Sequence, residues 1–228
     1  MSRGWLIVFA KAPRPGLVKT RLSPPLSLDQ AAEFYKSMLA DVLDSTARFA
    51  SEFDLYPILA FHPPDAATEM VPLTPAGYRL HVQQGVDLAG RMANAFAEAV
   101  AAGSRSVLLR GSDSPALNAA HIASALEQLE AGADLVFTPD QGGGYALVGM
   151  QKPHAEIFDI PMSTSEMLEK TIAVAKKRGL RVGMTEPVFD VDVIDDLSAF
   201  EALSEEQSSS LCPRTVHAIT HMRSVGVL

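Results

Sequence analysis

The chain of 228 residues contains one cysteine, Cys212. A single thiol excludes an internal disulfide and any metal site built from several cysteines, and it is typical of a reducing, cytoplasmic setting. No apolar run approaches the roughly 20 residues that a membrane span requires. The apolar stretch 5–10 is too short for the core of a signal peptide, so the sequence predicts a cytoplasmic protein with no membrane span.

Basic residues are fewer than acidic ones: 19 lysines and arginines stand against 27 aspartates and glutamates, for a formal net charge of −8. This balance argues against general nucleic-acid binding, which needs a basic surface. Hydrophobic residues make up 47% of the chain and charged residues 20%, which is typical of a globular protein with a full core. The length fits one large domain.

Short apolar runs alternate with segments of helical periodicity along most of the chain. Ser27-x-x-Gln30 and Ser163-x-x-Glu166 have the capping-box pattern that opens a helix, Asp87 is suited to cap another, and a further helix is predicted to open at Asn118. The predicted strands are 6–9, 55–61, 78–82, 106–110, 134–138 and 145–150. This alternation predicts βαβ units and a mostly parallel sheet with helices on both faces. A polar run at 204–210 predicts a boundary between a domain of residues 1–203 and a C-terminal tail, 204–228.

The loop after the first strand is basic although the protein is acidic. Its cations are Lys11, Arg14, Lys19 and Arg21, and the first acidic residue of the chain is Asp29. Prolines restrict the loop's shape, and ligands of α/β sheets bind at the carboxyl ends of strands, so the loop is suited to phosphates. A solvated surface loop whose charges balance the acidic body explains the same composition. The loop lacks the glycine that a P-loop places before its lysine, and no Gly-x-Gly-x-x-Gly follows the strand.

Acidic residues follow two segments that are far apart in the sequence. Asp113 comes after the strand 106–110, and Asp190 and Asp192 alternate in a segment predicted to be extended, which places them on one side. Such carboxylates coordinate Mg²⁺ or Mn²⁺ ions that also bind phosphates. The alternatives are structural, with Asp113 bracing a turn and the other two forming local turn bonds before a short helix, 195–203.

Three consecutive glycines, 142–144, precede Tyr145. Glycine permits positive φ and close backbone approach. A loop that lies against a ligand needs these properties, and so does a tight connection between two elements. The sequence leaves both interpretations open.

Five motifs follow one another along the chain: Lys11-Ala-Pro-Arg-Pro-Gly16-x-x-Lys19-Thr20-Arg21-Leu22, Gln84-Gly85-x-Asp87-Leu88-x-x-Arg91-Met92, Gly111-Ser112-Asp113-x-Pro115, Gly143-Gly144-Tyr145 and Asp190-Val-Asp192-x-x-Asp195-Asp196-Leu197. As a set they resemble a bacterial family of glycosyltransferase-like proteins with the GT-A, or nucleotide-diphospho-sugar transferase, fold. That family is similar to the phospholactate and molybdenum-cofactor guanylyltransferases. The resemblance extends over residues 5–200.

This resemblance implies a three-layer α/β/α sandwich whose mostly parallel sheet binds an activated nucleotide at its carboxyl edge. It implies a transferase that moves a nucleotidyl or glycosyl group from a nucleoside triphosphate or a nucleotide sugar to a small acceptor, with Mg²⁺ or Mn²⁺ bound by Asp113 and Asp192. The candidate catalytic residues are Lys11, Lys19 and Asp113. The candidate nucleotide-binding residues are Lys11, Arg14, Lys19, Arg21, Gln84, Asp87 and Arg91, and those on the acceptor side are Gly143, Gly144 and Tyr145.

The chain departs from the family pattern Asp-Gly-Gly-Tyr, because Gly142 stands in place of the aspartate. This departure supports an alternative hypothesis, a binding or regulatory protein that keeps the fold with weakened catalysis. A phosphate-binding hydrolase is a third hypothesis. The sequence distinguishes neither nucleotidyl from glycosyl transfer nor one nucleobase from another, and no general base stands out in it.

Overall fold

The computed structural model describes residues 4–162 and 164–228. Its centre is a seven-stranded sheet with the strand order β3-β2-β1-β4-β6-β5-β7. The strands are β1 (Gly4–Lys11), β2 (Leu55–His62), β3 (Arg79–Val82), β4 (Val107–Gly111), β5 (Leu135–Pro139), β6 (Tyr145–Met150) and β7 (Val182–Met184). Each strand predicted from an apolar run is present.

The sheet is parallel except at β6, which runs antiparallel to both of its neighbours, β4 and β5. The cause is the connection between β5 and β6. Residues 140–144 are too few for the crossover of a dozen or more residues that a parallel pair requires. The prediction of a mostly parallel sheet is confirmed, with the strand after the glycines as the exception.

Helices cover both faces of the sheet. In the described ranges the α-helices are α1 (Leu28–Glu52), α2 (Ala67–Met70), α3 (Leu88–Ala101), α4 (Ala119–Glu130), α5 (Met167–Lys177), α6 (Glu205–Leu211) and α7 (Pro213–Ser224). Leu39, Ile122 and Ile219 bring α1, α4 and α7 into one apolar core, while Phe96 and Ala175 bring α3 and α5 into the other. The three-layer α/β/α sandwich is therefore confirmed. None of these helices is long and apolar enough to cross a membrane.

The helix starts that the sequence predicted have a clear physical cause. Ser27 and Gln30 form a reciprocal capping box at the start of α1. Asp87 accepts a hydrogen bond from the Gly90 N–H at 2.8 Å at the start of α3, and the Asn118 side chain caps α4. Each cap satisfies backbone donors that have no partner inside the helix.

Two local predictions have a different outcome. Ser163, the first residue of the second predicted capping box, lies outside the described residues, and α5 begins only at Met167 with Glu166 at its N-cap position. The segment that contains Asp190 and Asp192 is a loop without strand pairing, and a 3₁₀ helix, Ile194–Ala202, follows it.

The residues after 203 form α6 and α7, and α7 packs on α1. Asp41 of α1 is buried, and its carboxylate accepts hydrogen bonds from the backbone N–H groups of Arg214 and Thr215, at 3.2 and 2.7 Å, and from the Thr215 hydroxyl at 2.8 Å. The Arg214 guanidinium lies 3.1 Å from the same carboxylate. One buried acid thus satisfies the donors at the start of α7 and joins that helix to the body of the protein.

We expect Asp41→Ala to lower the free energy of unfolding by at least about 2 kcal/mol, because a hydrogen bond to a charged group contributes about 1.5–3 kcal/mol. Asp44→Ala is the matched control. Asp44 pairs with the same Arg214 at 2.7 Å but is 40% exposed, and exposed ion pairs contribute about 0–1 kcal/mol. Urea unfolding measures both losses, and equal losses would contradict this account.

Candidate active site

A cleft of about 1050 Å³ opens at the carboxyl edge of the sheet. Its lining includes Lys11 and Lys19 from the basic loop, Asp113 from the loop after β4, and Asp190 and Asp192 from the loop before the 3₁₀ helix. Ligands of open α/β sheets bind at this edge. The structure therefore brings Lys11, Lys19, Asp113 and Asp192 of the predicted site residues to one cleft, while others lie elsewhere.

Lys19 lies at the centre of this arrangement. Its side chain is 5% exposed, its ammonium forms an ion pair with Asp113, and it lies 3.5 Å from the Asp192 carboxylate. The ammonium also donates a hydrogen bond to the Val191 carbonyl. The Lys19 backbone is left-handed, with φ of 47°, a conformation that is unfavourable for a residue with a Cβ and that is typical of functional sites.

The loops after β1 and β4 are held together by a buried tyrosine of α1. The Tyr35 hydroxyl accepts a hydrogen bond from the Lys11 N–H at 3.1 Å and is hydrogen bonded to the Ser112 hydroxyl at 2.8 Å. Burial, and secondarily the nearby Asp113 charge, raises the pKa of Tyr35. The hydroxyl therefore stays neutral and joins the two loops that carry Lys11 and Asp113.

A buried arginine supports the Asp113 loop from below. Arg110 of β4 is fully buried, and its guanidinium donates to the Ser114 carbonyl at 2.7 Å and to the Thr46 hydroxyl at 3.2 Å. Burial lowers the pKa of Arg110 to about 10. Because these bonds join the residue after Asp113 to α1, the carboxylate of Asp113 projects from a fixed loop.

Backbone contacts fix the second carboxylate relative to the first. The Val191 N–H donates to the Asp113 carbonyl at 3.0 Å, so the two acidic loops lie side by side. The Asp196 carboxylate accepts hydrogen bonds from the N–H groups of Asp192 and Val193, at 2.7 Å each. Arg21 lies at the solvent side of the pair, with its guanidinium 3.3 Å from Asp192. Asp113 and Asp192 are thus held around one cation by the backbone as well as by charge.

The glycine loop places a carboxylate that the sequence analysis missed. Asp140, at the end of β5, accepts a hydrogen bond from the Gly144 N–H at 2.7 Å and lines the cleft. A Cβ added at Gly142 would lie 3.4 Å from Asp140 Oδ1 and 3.8 Å from Asp190 Oδ2, so Gly142 lies beside two carboxylates. The overlooked signal is that Asp140, like Asp113, comes two or three residues after the end of a predicted strand.

The carboxyl groups of Asp140 and Asp190 are half-buried and lie close to other negative charges. Burial, followed by the charges of Asp140 and Asp192, raises the pKa of Asp190 to about 6. The pKa of Asp140 is also raised, by burial first, although backbone N–H groups of the glycine loop oppose the change. Among the described residues, Asp190 is therefore a cleft carboxyl whose pKa lies near neutral pH, as a general base requires.

Part of the cleft lining, called here the basic wall, consists of basic residues. Lys11, His62 and Arg91 line it, and burial lowers the pKa of His62, with the charges of Arg91 and Lys11 adding to the effect. His62 Nδ1 and Arg91 Nε are buried without a hydrogen-bond partner in the described part of the chain. The described residues thus leave the hydrogen-bonding capacity of these two nitrogens unused. His62 lies at the end of β2, and no motif marked it.

Three residues predicted to bind nucleotide lie outside the described residues that line the cleft. Arg14 pairs with Glu69 at 2.5 Å and with Asp65 at 3.1 Å. Asp87 caps α3, and the Gln84 carbonyl accepts a hydrogen bond from the Asn94 side chain. Of the residues predicted on the acceptor side, Gly144 and Tyr145 line the cleft, and Gly143 turns the chain beside them with φ of 86°.

Residues 46–164 match the family model described as "Uncharacterized protein conserved in bacteria (DUF2064)", which is more than half of the chain. The chain belongs to this family. No curated protein matches the sequence. The matched range contains Asp113, Asp140 and the glycine loop, while the basic loop and Asp192 lie outside it.

Solved structures resemble the protein over most of its length. A "putative nucleotide-diphospho-sugar transferase" from Desulfovibrio desulfuricans G20 has a TM-score of 0.86 and 27% identity, covering 98% of this chain and 96% of its own. A cytidylyltransferase from Leptospira borgpetersenii has a TM-score of 0.57 and 10% identity, covering 98% and 95%. A CMP:2-keto-3-deoxy-manno-octonic acid synthetase complexed with CTP has a TM-score of 0.57 and 10% identity, covering 88% and 98%. These likenesses confirm the predicted transferase-like fold.

We expect Gly143→Ala to destabilise the protein more than Gly179→Ala. Both glycines have positive φ, 86° and 73°, so both substitutions carry the same kind of backbone strain. A Cβ at Gly143 would lie 1.9 Å from the Ser165 carbonyl oxygen, whereas one at Gly179 would meet nothing within 4 Å. The difference in unfolding free energy should be about 1–3 kcal/mol, as for other overpacked sites. Equal effects in urea unfolding would show that the glycine loop yields to the added methyl.

We expect Asp190→Asn to stabilise the protein more at about pH 7.5 than at about pH 5. The folded-state pKa of about 6 lies above the usual value of 3.8. Between these values the folded state binds more protons than the unfolded state, so the wild type loses stability as the pH rises. Asparagine does not ionise, so the variant does not lose this stability. Its free energy of unfolding relative to the wild type should therefore be higher at pH 7.5 than at pH 5 by about 1–2 kcal/mol, after allowance for the solvent that reaches the half-exposed group. Urea unfolding at both pH values in chelating buffer checks it, and a gain independent of pH would contradict it.

Proposed function

We propose that the protein is a divalent-cation-dependent nucleotidyltransferase that joins the nucleoside monophosphate part of a nucleoside triphosphate to a small acceptor. The observation that carries the proposal is the convergence of Asp113 and Asp192 on one cationic position at the carboxyl edge of the sheet. The basic wall faces the same cleft. The likeness to a nucleotide-diphospho-sugar transferase supports an activated nucleotide as the donor.

The donor set fits Mg²⁺ or Mn²⁺. Both ions prefer carboxylate oxygens, and Mg²⁺ is commonly held by one or two carboxylates together with substrate phosphates. Asp113 and Asp192 would hold the ion, and their side chains are each 47% exposed to the cleft. A bound divalent cation supplies charge neutralisation of the phosphates and of the departing group.

The residues of the chain have separate tasks in this reaction. Lys11, Arg21 and Arg91 are suited to bind the triphosphate, because each places a cationic group at the cleft. The acceptor oxygen attacks the α-phosphorus, the bond from that phosphorus to the bridging oxygen breaks, and pyrophosphate leaves. Asp190 is suited to take the acceptor's proton, since its pKa of about 6 leaves it mostly ionised at neutral pH.

Asp140 bears on the alternative of a binding protein with weakened catalysis. That hypothesis rested on Gly142 in place of the family aspartate. Asp140 places a carboxylate in the cleft beside Gly142, so an acidic group is present on this side of the cleft. We therefore favour an active transferase.

Glycosyl transfer is the second candidate. It is supported by the match to the Desulfovibrio desulfuricans protein, which has the highest identity of the three structures compared and is described as a nucleotide-diphospho-sugar transferase. In this case the acceptor attacks the anomeric carbon and a nucleoside diphosphate leaves. The same cleft residues would bind the diphosphate.

The test is thermal unfolding of the protein with each nucleoside triphosphate and with nucleotide sugars, in the presence and absence of Mg²⁺ or Mn²⁺. A ligand at about 100 times its dissociation constant stabilises the folded state by about 2.7 kcal/mol. Metal-dependent stabilisation by one triphosphate, with release of pyrophosphate once an acceptor is found, is the expected result. Stabilisation by nucleotide sugars alone would favour glycosyl transfer, and no stabilisation by any of them would contradict the nucleotide proposal.

We expect Asp113→Asn to abolish the metal-dependent part of this stabilisation, because the amide lacks the charge that binds the cation. Asp65→Asn is the matched control, since Asp65 pairs with Arg14 and is not among the described residues that line the cleft. Metal-dependent stabilisation that survives in Asp113→Asn would remove Asp113 from the metal site. Loss of the metal-dependent stabilisation in both variants would mean that this stabilisation is not specific to the cleft.

A further inference from the structure

Lys19 has an unusual combination of features for a lysine at the mouth of a cleft. Its side chain is 5% exposed, and its ammonium contacts Asp113, Asp192 and the Val191 carbonyl. The Val191 carbonyl accepts a hydrogen bond from the ammonium, and the two carboxylates are its ion-pair partners, so the charge is neutralised within the protein. The position is specified by the fold and is not that of a mobile surface cation.

The backbone of Lys19 supports the same conclusion. Its φ of 47° lies in the left-handed region, which residues with a Cβ rarely adopt. The 3₁₀ helix Thr20–Leu22 starts directly after it. Residues in such conformations persist where the surrounding structure holds them and often mark functional sites. The contacts of the side chain with two other loops are the interactions that hold it here.

The carboxylates that hold the ammonium are those assigned above to the divalent cation. A metal ion bound between the two carboxylates would compete with the ammonium for the same negative charge, and the two cations would repel each other strongly in a partly buried site. Tight binding of a metal ion to both carboxylates therefore requires the ammonium of Lys19 to move away from them. Phosphate oxygens of a nucleotide are strong acceptors for a displaced ammonium.

We propose that Lys19 is a built-in competitor of the divalent cation, which makes tight metal binding depend on the nucleotide. The inference rests on the proposed function for the identity of the ligands. In the absence of nucleotide the ammonium keeps the two carboxylates, and metal binds weakly. When the nucleotide's phosphates accept the ammonium, the carboxylates become available to the metal, so that metal and nucleotide bind cooperatively.

The experiment measures binding of Mn²⁺ alone, without nucleotide, by the electron paramagnetic resonance signal of the free ion. Lys19→Met removes the charge and keeps the length of the side chain. We expect this variant to bind Mn²⁺ at least about tenfold more tightly than the wild type, because one repelling charge is lost from a partly buried site. Adding Asp113→Asn to Lys19→Met should abolish the gain, since the amide removes a ligand.

Arg21→Met is the matched control. Arg21 also pairs with Asp192, at 3.3 Å, but its side chain is 67% exposed, and solvent screens exposed charges. We expect Arg21→Met to raise the Mn²⁺ affinity less than Lys19→Met does. An equal gain in both variants would mean that general charge, and not the position of Lys19, governs metal binding, and would overturn the inference.

A second variant guards against a folding defect. Lys19→Gln keeps an amide that can donate to the Val191 carbonyl, and thermal unfolding of each variant in chelating buffer reports whether it is folded. Mn²⁺ affinity equal to or below that of the wild type in both folded variants would overturn the inference. Because no nucleotide is used, this outcome is separate from failure of the proposed function, which is judged by nucleotide-dependent stabilisation of the wild type.

Discussion

The contacts of the Lys19 ammonium are the interaction on which the site depends. One cation meets the carboxylates of Asp113 and Asp192 and the Val191 carbonyl, and so joins three loops that come from distant parts of the chain. Two like charges that lie close together in a partly buried site repel each other, and a cation between them offsets this repulsion. The shape of the acidic side of the cleft therefore follows from where this lysine lies.

Buried polar residues behind the cleft make this arrangement rigid. Tyr35 joins the loops after β1 and β4, and Arg110 joins the Asp113 loop to α1. Hydrogen bonds are stronger in the low dielectric of the interior, and a buried polar group left without partners is costly. The buried network therefore favours one arrangement of the loops, and the groups that would bind substrate project from fixed positions.

The cleft lining contains a group of acidic residues around Asp190 and a group of basic residues around His62. Like charges within each group repel each other, and the pKa directions reflect this repulsion as well as burial. The pKa of Asp190 is raised beside Asp140 and Asp192, and that of His62 is lowered beside Arg91 and Lys11. The proposed phosphate–metal complex would relieve both repulsions, because its phosphates would meet the cations and its metal ion would meet the carboxylates.

Local features of the chain determined much of the fold. The apolar runs set the strands, the Ser27–Gln30 box and Asp87 set the starts of two helices, and the short segment 140–144 makes β6 antiparallel. These features act between residues that are close in sequence. They also placed Asp113 at a strand end, and for that reason the sequence predicted the edge of the sheet at which the cleft lies.

The sequence alone did not determine which charges would meet, and only the tertiary structure decided this. Arg14 and Lys19 belong to one basic loop, yet Arg14 pairs with Asp65 and Glu69 outside the cleft, while Lys19 is buried between Asp113 and Asp192. The Asp140 carboxylate lies in the cleft because the glycine loop turns back and donates the Gly144 N–H to it. The sequence determined the strands, the helix starts and the edge of the site, because periodicity and capping are local. The partners of each charged side chain depend on which loops are brought together by packing. No local sequence pattern encodes which distant loops meet.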